Sequence, residues 1–276
     1  MSIEITSNVE RMSREIASSA AELSTDEARY LVDAYYIMQE DRKRANNQVR
    51  AVTDASDKQH VVSENRVIQW LATQAETVEA QIKRALDKYT EKHQMGSWMR
   101  EIVGIGPVIS AGLLAHINIE KAPTVGHIWR FAGLDPTVKW EKGQRRPWNA
   151  GLKTLCWKAG QSFMKFSGRE DCYYGRIYRE RKAFEIARNE RGENAELAAV
   201  LAKKVGKATE AIKHLSEGRL PPGQIDARAR RYAVKLFLSH MHGEWYRRHY
   251  GTEPPLPYPI AILGHAHMIE APGRVA

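Results

Sequence analysis

Apolar positions spaced by three, four and seven residues predict two long helices in the first third of the chain. The first begins at Ser24, whose hydroxyl is followed three residues later by the carboxylate of Glu27, the pattern of a capping box, and it continues to about Asp54. The second begins near residues 63–65, and its apolar positions are Val67, Leu71, Val78, Ile82, Leu86 and Tyr89. No glycine or proline occurs before Gly96, so residues 1–95 are expected to form a helical hairpin or coiled-coil arm, a common assembly element.

A turn with two glycines follows this arm. The run Gly104-Ile105-Gly106-Pro107 precedes apolar and small residues that continue to about His116, the pattern of the turn and second helix of a helix-hairpin-helix. Proline at the first helical position gives up no internal hydrogen bond, and the remaining amides lie at the positive end of the helix dipole. The candidate contacts to a phosphate are therefore Gly104, Ile105, Gly106 and Val108. The alternative is an ordinary turn between two packed helices.

The rest of the chain is also predicted to be helical, so the fold class is mostly α. Helices are expected at 125–131, 152–166, 173–189, 193–216 and 226–248. Residues 253–276 are rich in proline and should form an extended, semi-rigid tail. The predicted domains are the arm at 1–95, a helix-hairpin-helix domain at 96–252 and this tail.

Positive charge is concentrated in one part of the sequence. The chain carries a net charge of +9 with a pI near 9.5. Residues 121–191 contain 16 lysines and arginines against 7 acidic residues, which accounts for the whole excess. A local field of this kind favours a polyanionic partner, whereas the alternative is a basic surface without a ligand.

A loop near residues 140–148 alternates tryptophan rings with cations. Flat rings can stack on exposed bases, and arginine can pair with phosphate. The alternative is a hydrophobic anchor surrounded by solvated charges. A basic helix further along the chain would extend the track. Together these segments supply the candidate DNA-binding residues Trp140, Lys142, Arg145, Arg146, Trp148, Lys153, Arg176 and Arg179.

Composition also limits the setting in which the protein works. No apolar run approaches the ~20 residues that span a bilayer, and the polar N-terminus is unlike a secretory signal. The two cysteines, Cys156 and Cys172, are too few for a disulfide framework, so buried thiols are expected. We predict a cytoplasmic protein with no membrane partner and no cofactor.

From about Ile102 to Tyr178 the chain resembles the C-terminal domain of the bridge-RNA-guided recombinases, transposases of the insertion-sequence one-ten type. The landmarks occur in order, at Gly104–Pro107, Phe131–Pro136, Lys142–Arg146, Asn149–Lys153 and Tyr178–Arg181. The resemblance implies DNA handling in transposition or recombination of a mobile element, with structured RNA as an alternative partner. The helical arm is similar to the helical linker of those transposases, and we expect a homo-oligomer to form through it.

Catalytic features that the resemblance implies are missing from the sequence. The family has an RNase-H-like domain with metal-binding acidic residues, whereas this chain starts at the arm, so we expect no such domain. The family also uses a serine nucleophile near the Gly/Lys/Arg loop, but no serine lies between Asp135 and Gly160. Ser167, close to Arg169, is a substitute candidate nucleophile, although a turn residue at a helix end is the favoured interpretation.

Two His-x-His pairs are the candidate metal ligands. Imidazole suits zinc and other first-row ions, but no cysteine or carboxylate lies at a suitable spacing, so surface histidines are the favoured interpretation. The pairs are His240 with His242 and His265 with His267. We therefore predict a DNA-binding protein that grips the phosphate backbone. A divergent recombinase with serine or metal chemistry and a coiled-coil assembly protein are the alternatives.

Overall fold

The structure is a computed structural model that describes residues 9–59, 66–206, 209–262 and 268–272. Within these ranges the chain is mostly helical and contains no strand. Short 3-10 turns occur at Ala20–Glu22 and Ile119–Lys121. The α-helices are α1 Arg14–Ser19, α2 Thr25–Gln59, α3 Arg66–Lys92, α4 Gly96–Glu101, α5 Pro107–His116, α6 Val125–Phe131, α7 Ala150–Lys165, α8 Tyr173–Glu190, α9 Ala195–Ala202, α10 Glu210–Ser216, α11 Pro222–Tyr250 and α12 Tyr258–Ala261.

The predicted capping box at the start of α2 is confirmed. The Ser24 amide donates to a Glu27 carboxylate oxygen at 2.8 Å, and the Glu27 amide donates to the Ser24 hydroxyl at 3.3 Å. Two amides that have no partner within the helix are thereby satisfied. The helix then continues to Gln59, beyond the predicted end near Asp54.

The helices α2 and α3 lie antiparallel. Buried Glu79 in α3 accepts a hydrogen bond from Arg42 in α2 at 2.6 Å. Lys92 at the end of α3 pairs with Glu22, just before α2 begins. The helix α5 packs against both α2 and α3, and seven of its ten residues are buried.

The chain divides into two compact units. Unit 1 contains the residues up to Arg100 together with Gly106–His116, and unit 2 contains Glu101–Ile105 and the chain after His116. These limits differ from the predicted boundaries at 95 and 252, because α5 belongs with the long helices and the division falls inside the glycine turn. No helix in the described ranges is both long and apolar enough to cross a lipid bilayer.

The core of unit 2 is built around three aromatic rings from α7, α8 and α11. The ring centroid of Phe163 lies 5.0 Å from that of Tyr174 and 5.5 Å from that of Phe237. The two cysteines, Cys156 and Cys172, are buried free thiols, as predicted, and burial raises the pKa of Cys156 to about 12. The rings fix where α7 and α11 lie relative to each other, and both helices contribute to the site described below.

Two segments differ from the sequence-based expectation. Residues 193–216 were expected to be one helix, but α9 ends at Ala202 and α10 begins at Glu210, with helix-breaking Gly206 between them. Residues 253–276 were expected to be extended, but Tyr258–Ala261 form one helical turn. The amides of Ile260 and Ala261 both donate to the Pro257 carbonyl at 2.9 Å.

Candidate nucleic-acid interface

The first end of the basic loop is fixed by the C-terminus of α6. The amide of Gly133 donates to Arg130 at 3.1 Å, and the amide of Leu134 donates to Trp129 at 2.8 Å, which is the pairing of a Schellman motif. Gly133 adopts φ +64, and a Cβ atom there would lie 2.8 Å from Cγ of Trp148. Glycine is therefore required both for the turn and for the close approach of the indole.

The second end of the loop is fixed at the start of α7. The Asn149 amide donates to the Phe131 carbonyl at 2.8 Å, which brings the two ends of the loop together. The Asn149 side chain accepts a hydrogen bond from the Leu152 amide at 2.8 Å and caps α7, which begins at Ala150, two residues before the predicted start. Residues 134–148 therefore leave and rejoin the helical body at one place.

This geometry brings four of the predicted residues together. The centroids of Trp140 and Trp148 lie 6.5 Å apart with the rings at 61°. The Arg146 guanidinium carbon lies 5.5 Å from the Trp140 centroid, and the Lys153 ammonium lies 3.8 Å from the Trp148 centroid. The Trp140 indole also donates to the Gln144 carbonyl at 2.7 Å, which fixes the orientation of the ring.

A fifth residue, Arg231 of α11, joins this group. Partial burial lowers the pKa of Lys153, and the charges of Arg146 and Arg231 lower it further. None of these three cations forms an ion pair with any residue that the structure describes. We call Trp140, Arg146, Trp148, Lys153 and Arg231 the tryptophan–cation surface.

Arg231 was not among the sequence-based candidates. It belongs to a run with Arg228 and Arg230, and the sequence does not show which of the three is left without a partner. In the structure, Arg228 lies 3.0 Å from Glu185, and Arg230 lies 2.7 Å from Asp226. This part of α11 has more arginines than acidic residues, and that excess is the sequence signal that could have pointed to an arginine such as Arg231 without an ion pair.

The other predicted basic residues lie elsewhere on unit 2. Lys142 and Arg145 are exposed in the loop and form no ion pair within the described ranges. Arg176 on α8 lies over the Tyr173 ring at 5.2 Å, and its guanidinium is 3.8 Å from Glu180. Arg179, also on α8, is exposed. No contact among the described residues links these two arginines to the tryptophan–cation surface.

The first half of the glycine turn packs inward. Gly104 adopts φ +96, and its carbonyl accepts a hydrogen bond from the Ser162 hydroxyl at 2.6 Å. Ile105 is buried, and its amide donates to the Ile102 carbonyl at 3.0 Å. The expectation that the Ile105 amide is available to a phosphate is therefore wrong, because that donor is used within the turn.

The second half of the turn is open. Gly106 is exposed, a Cβ atom added there would meet nothing within 4 Å, and its carbonyl accepts the Ser110 amide at 3.0 Å. Gly106 thus caps α5, whose first turn includes the amides of Val108 and Ile109. Amides in the first turn of a helix have no acceptor within the helix. Gly106 therefore has the exposed position expected at an anion-binding helix start, whereas the predicted contact Val108 is buried.

Ser167 occupies a structural position at the end of α7. Its hydroxyl donates to the Met164 carbonyl at 2.7 Å and closes the last turn of the helix. The nearby Arg169 is paired with Asp171 through two contacts of 2.8 and 2.5 Å. This arrangement matches the interpretation of Ser167 as a turn residue.

The interpretation of His240 and His242 as surface histidines is wrong, because both are buried and hydrogen-bonded. His240 bonds through one ring nitrogen to the Tyr174 hydroxyl at 2.9 Å and through the other to the Ile269 carbonyl at 2.7 Å. His242 bonds to the Ala122 carbonyl at 2.8 Å. Burial lowers the pKa of both imidazoles. The second candidate pair, at 265 and 267, lies outside the described residues, and the described residues hold no group of three or more potential metal ligands.

The tryptophan–cation surface combines fixed flat rings with unpaired positive charge. Those groups can stack against planar ligands and attract anions. They include no hydroxyl, thiol or carboxylate group. No family model, curated protein or solved structure matches this chain.

Proposed function

We propose that the protein binds DNA by its phosphate backbone through the tryptophan–cation surface. The observation that carries this proposal is the group of three cations, Arg146, Lys153 and Arg231, none of which forms an ion pair with a described carboxylate. The charge of Glu185 acts on Arg231 without forming an ion pair with it. The mutual repulsion of the three cations disfavours the charged form of Lys153. A row of phosphates would reduce that repulsion on the protein, and the DNA would release condensed counterions. Both effects favour binding.

The glycine turn supplies a second, separate contact in this proposal. The Val108 and Ile109 amides at the start of α5 donate to one phosphate oxygen, and exposed Gly106 leaves the turn open on that side. Contacts of this kind hold the nucleic acid without reading its bases. The proposal therefore predicts binding that depends weakly on base sequence.

We assign this binding to transposition or recombination of a mobile element, on the resemblance of residues 102–178 to the bridge-RNA-guided recombinases. Strand cleavage is not part of the proposal, because the Ser167 hydroxyl closes a helix turn and His240 is bonded at both ring nitrogens. In this proposal a partner protein supplies any catalysis. Structured RNA offers the same phosphates and is the alternative polyanion.

Self-association through α2 and α3 is also proposed. Tyr30 and Ile37 lie one heptad apart on α2, and they are 73% and 58% exposed. Exposed apolar residues at this spacing are typical of a helix that packs against another copy. Sedimentation velocity of the full chain tests this, since a Tyr30→Glu, Ile37→Glu variant should shift the protein toward monomer. An unchanged sedimentation coefficient would contradict it.

A binding titration tests the main proposal. Fluorescence anisotropy with a labelled duplex should show binding by the full chain that the triple variant Arg146→Gln, Lys153→Gln, Arg231→Gln has lost or weakened. The matched control is Lys213→Gln in the same unit, because Lys213 is exposed but already paired with Glu210 at 2.8 Å. Equal affinity of the triple variant and the control would refute the proposed surface.

The turn has its own test. Gly106→Val should weaken DNA binding, because a branched side chain would cover the amides of α5, while helical content stays the same because the position faces open space. Circular dichroism and anisotropy on the same samples separate the two effects. Loss of helical signal would instead show that Gly106 is needed for folding.

A further inference from the structure

Two tryptophan rings stand partly exposed at the tryptophan–cation surface and are held there by specific contacts. Trp140 is 39% exposed, and its ring meets that of Trp148 edge-on with the centroids 6.5 Å apart. Its ring is fixed by the bond to the Gln144 carbonyl at 2.7 Å, and Trp148 is fixed against Gly133. A third indole, Trp157, is 57% exposed on α7, one helical turn beyond Lys153.

A cation lies over a face of each loop ring. Arg146 is placed over Trp140, and Lys153 is placed over Trp148, at 5.5 and 3.8 Å from the centroids. A phosphate attracts a cation more strongly than a ring face does, so a bound polyanion would draw these cations off the rings. The indole faces would then be uncovered next to the bound backbone.

An uncovered indole next to a bound phosphate fits an unpaired base. Every base has a flat face, so stacking tolerates any sequence, and each stacked base adds substantially to affinity. In a duplex the bases already stack on one another, and their faces are closed to a side chain. Duplex contacts therefore use the cations of this surface but not its rings.

We infer that the tryptophan–cation surface takes unpaired nucleotides, with Trp140 as a stacking platform and Arg146 and Lys153 on the flanking phosphates. This inference rests on the proposed nucleic-acid binding and narrows it to single-stranded or locally opened segments. The shared chemistry is a run of unstacked bases on a phosphate backbone, which both DNA and RNA can present.

The experiment compares three probes on the full chain. Fluorescence anisotropy is measured with oligothymidylate and oligouridylate of about 15 nucleotides and with a duplex of about 15 base pairs, a length that covers one binding site of this kind. The variants are Trp140→Ala, which removes the ring, and Trp140→Phe, which keeps a ring but loses the bond to Gln144. The control is Trp70→Ala, because Trp70 is 49% exposed on α3 in the other unit.

The expected result is a selective loss. Trp140→Ala should weaken single-strand binding by roughly 5- to 150-fold and leave duplex binding within about twofold. Trp140→Phe should keep most of the affinity, and Trp70→Ala should behave like the native chain. Stacking should also quench tryptophan fluorescence on addition of oligothymidylate, and part of that quenching should disappear in Trp140→Ala. The affinity ratio of oligothymidylate to oligouridylate compares a DNA strand with an RNA strand, which differ in the sugar and in the C5 methyl group of the base.

Two results would overturn the inference. One is an unchanged single-strand affinity in Trp140→Ala, and the other is an equal loss on single strands and duplex, which would show that the ring only supports the loop. In both cases the proposed function stands if the triple cation variant loses binding. If the native chain binds none of the three probes, the proposed function itself fails.

Discussion

Replacing Arg146, Lys153 or Arg231 with glutamine should make DNA binding less sensitive to salt. Each phosphate neutralised on duplex DNA contributes about 0.9 to the slope of log affinity against log salt, because a condensed counterion is released. The three cations have no ion-pair partner among the described residues, so each can neutralise one phosphate in full. One substitution should lower the slope by about 0.9, and the triple variant should lower it by about 2.7.

These slopes convert into affinities that are easily measured. Between about 50 and 200 mM salt, each phosphate contact accounts for about a 3.5-fold loss of affinity, so three contacts account for about a 40-fold loss. The native chain should lose that much more than the triple variant over the same range. Anisotropy titrations at several salt concentrations, with Lys213→Gln as the paired-cation control, provide the comparison.

Parallel salt plots for the native chain and the variants would refute the reasoning. They would mean that the three cations do not contact phosphate, whatever their effect on affinity at one salt concentration. A lower slope with unchanged affinity at low salt is not expected, because the contacts that release counterions also supply the binding free energy.

Three further predictions concern unit 2. Gly133→Ala should lower the free energy of unfolding by about 1–2 kcal/mol, because its backbone is left-handed, and it should displace the Trp148 indole. Gly168→Ala should be neutral, because Gly168 faces open space, and equal urea midpoints for the two variants would contradict the prediction. Because burial lowers the pKa of His240 and His242, the unfolded chain takes up protons first as pH falls. Stability should therefore be full above the ordinary histidine pKa of about 6.5 and should decline below it, by up to about 1.4 kcal/mol per pH unit for each histidine. Urea midpoints that do not change between about pH 7.5 and about pH 5.5, one unit either side of the ordinary pKa, would argue against it. Glu185→Gln should lower the free energy of unfolding by about 3 kcal/mol, because it removes a fully buried carboxylate that pairs with Arg181 and Arg228. A shift in melting temperature that corresponds to less than about 1 kcal/mol would contradict this prediction.

Local signals in the sequence predicted local structure well. The hydroxyl and carboxylate at Ser24 and Glu27 predicted the cap of α2, and the apolar spacing placed the start of α7 at residue 152, two residues after its observed start. Each of these depends on side chains within four residues of one another, so the relevant physics is contained in a short window. The closeness of Trp140, Arg146, Trp148 and Lys153 depends in addition on the bond between Asn149 and Phe131, which brings the two ends of the loop together.

Features that depend on distant residues or on exact backbone angles could not be predicted in this way. Arg231 reaches the surface from α11, and its pairing state depends on Glu185 and Asp226 already being used by its neighbours. The amide of Ile105 donates back within its turn, which depends on backbone angles that the residue types do not fix. The helix α5 is apolar on most of its surface, so its pattern shows that it is buried but not which elements bury it.

The division of the chain inside the glycine turn determines how the protein can be cut into fragments. Since α5 packs with α2 and α3, an N-terminal piece that ends at Arg100 would expose the apolar surface that α5 covers. On the ribosome, likewise, the first unit stays incomplete until His116 has left the exit tunnel. Expression of the N-terminal body by itself therefore calls for a polypeptide that ends after His116, with a short flexible bridge in place of 101–105.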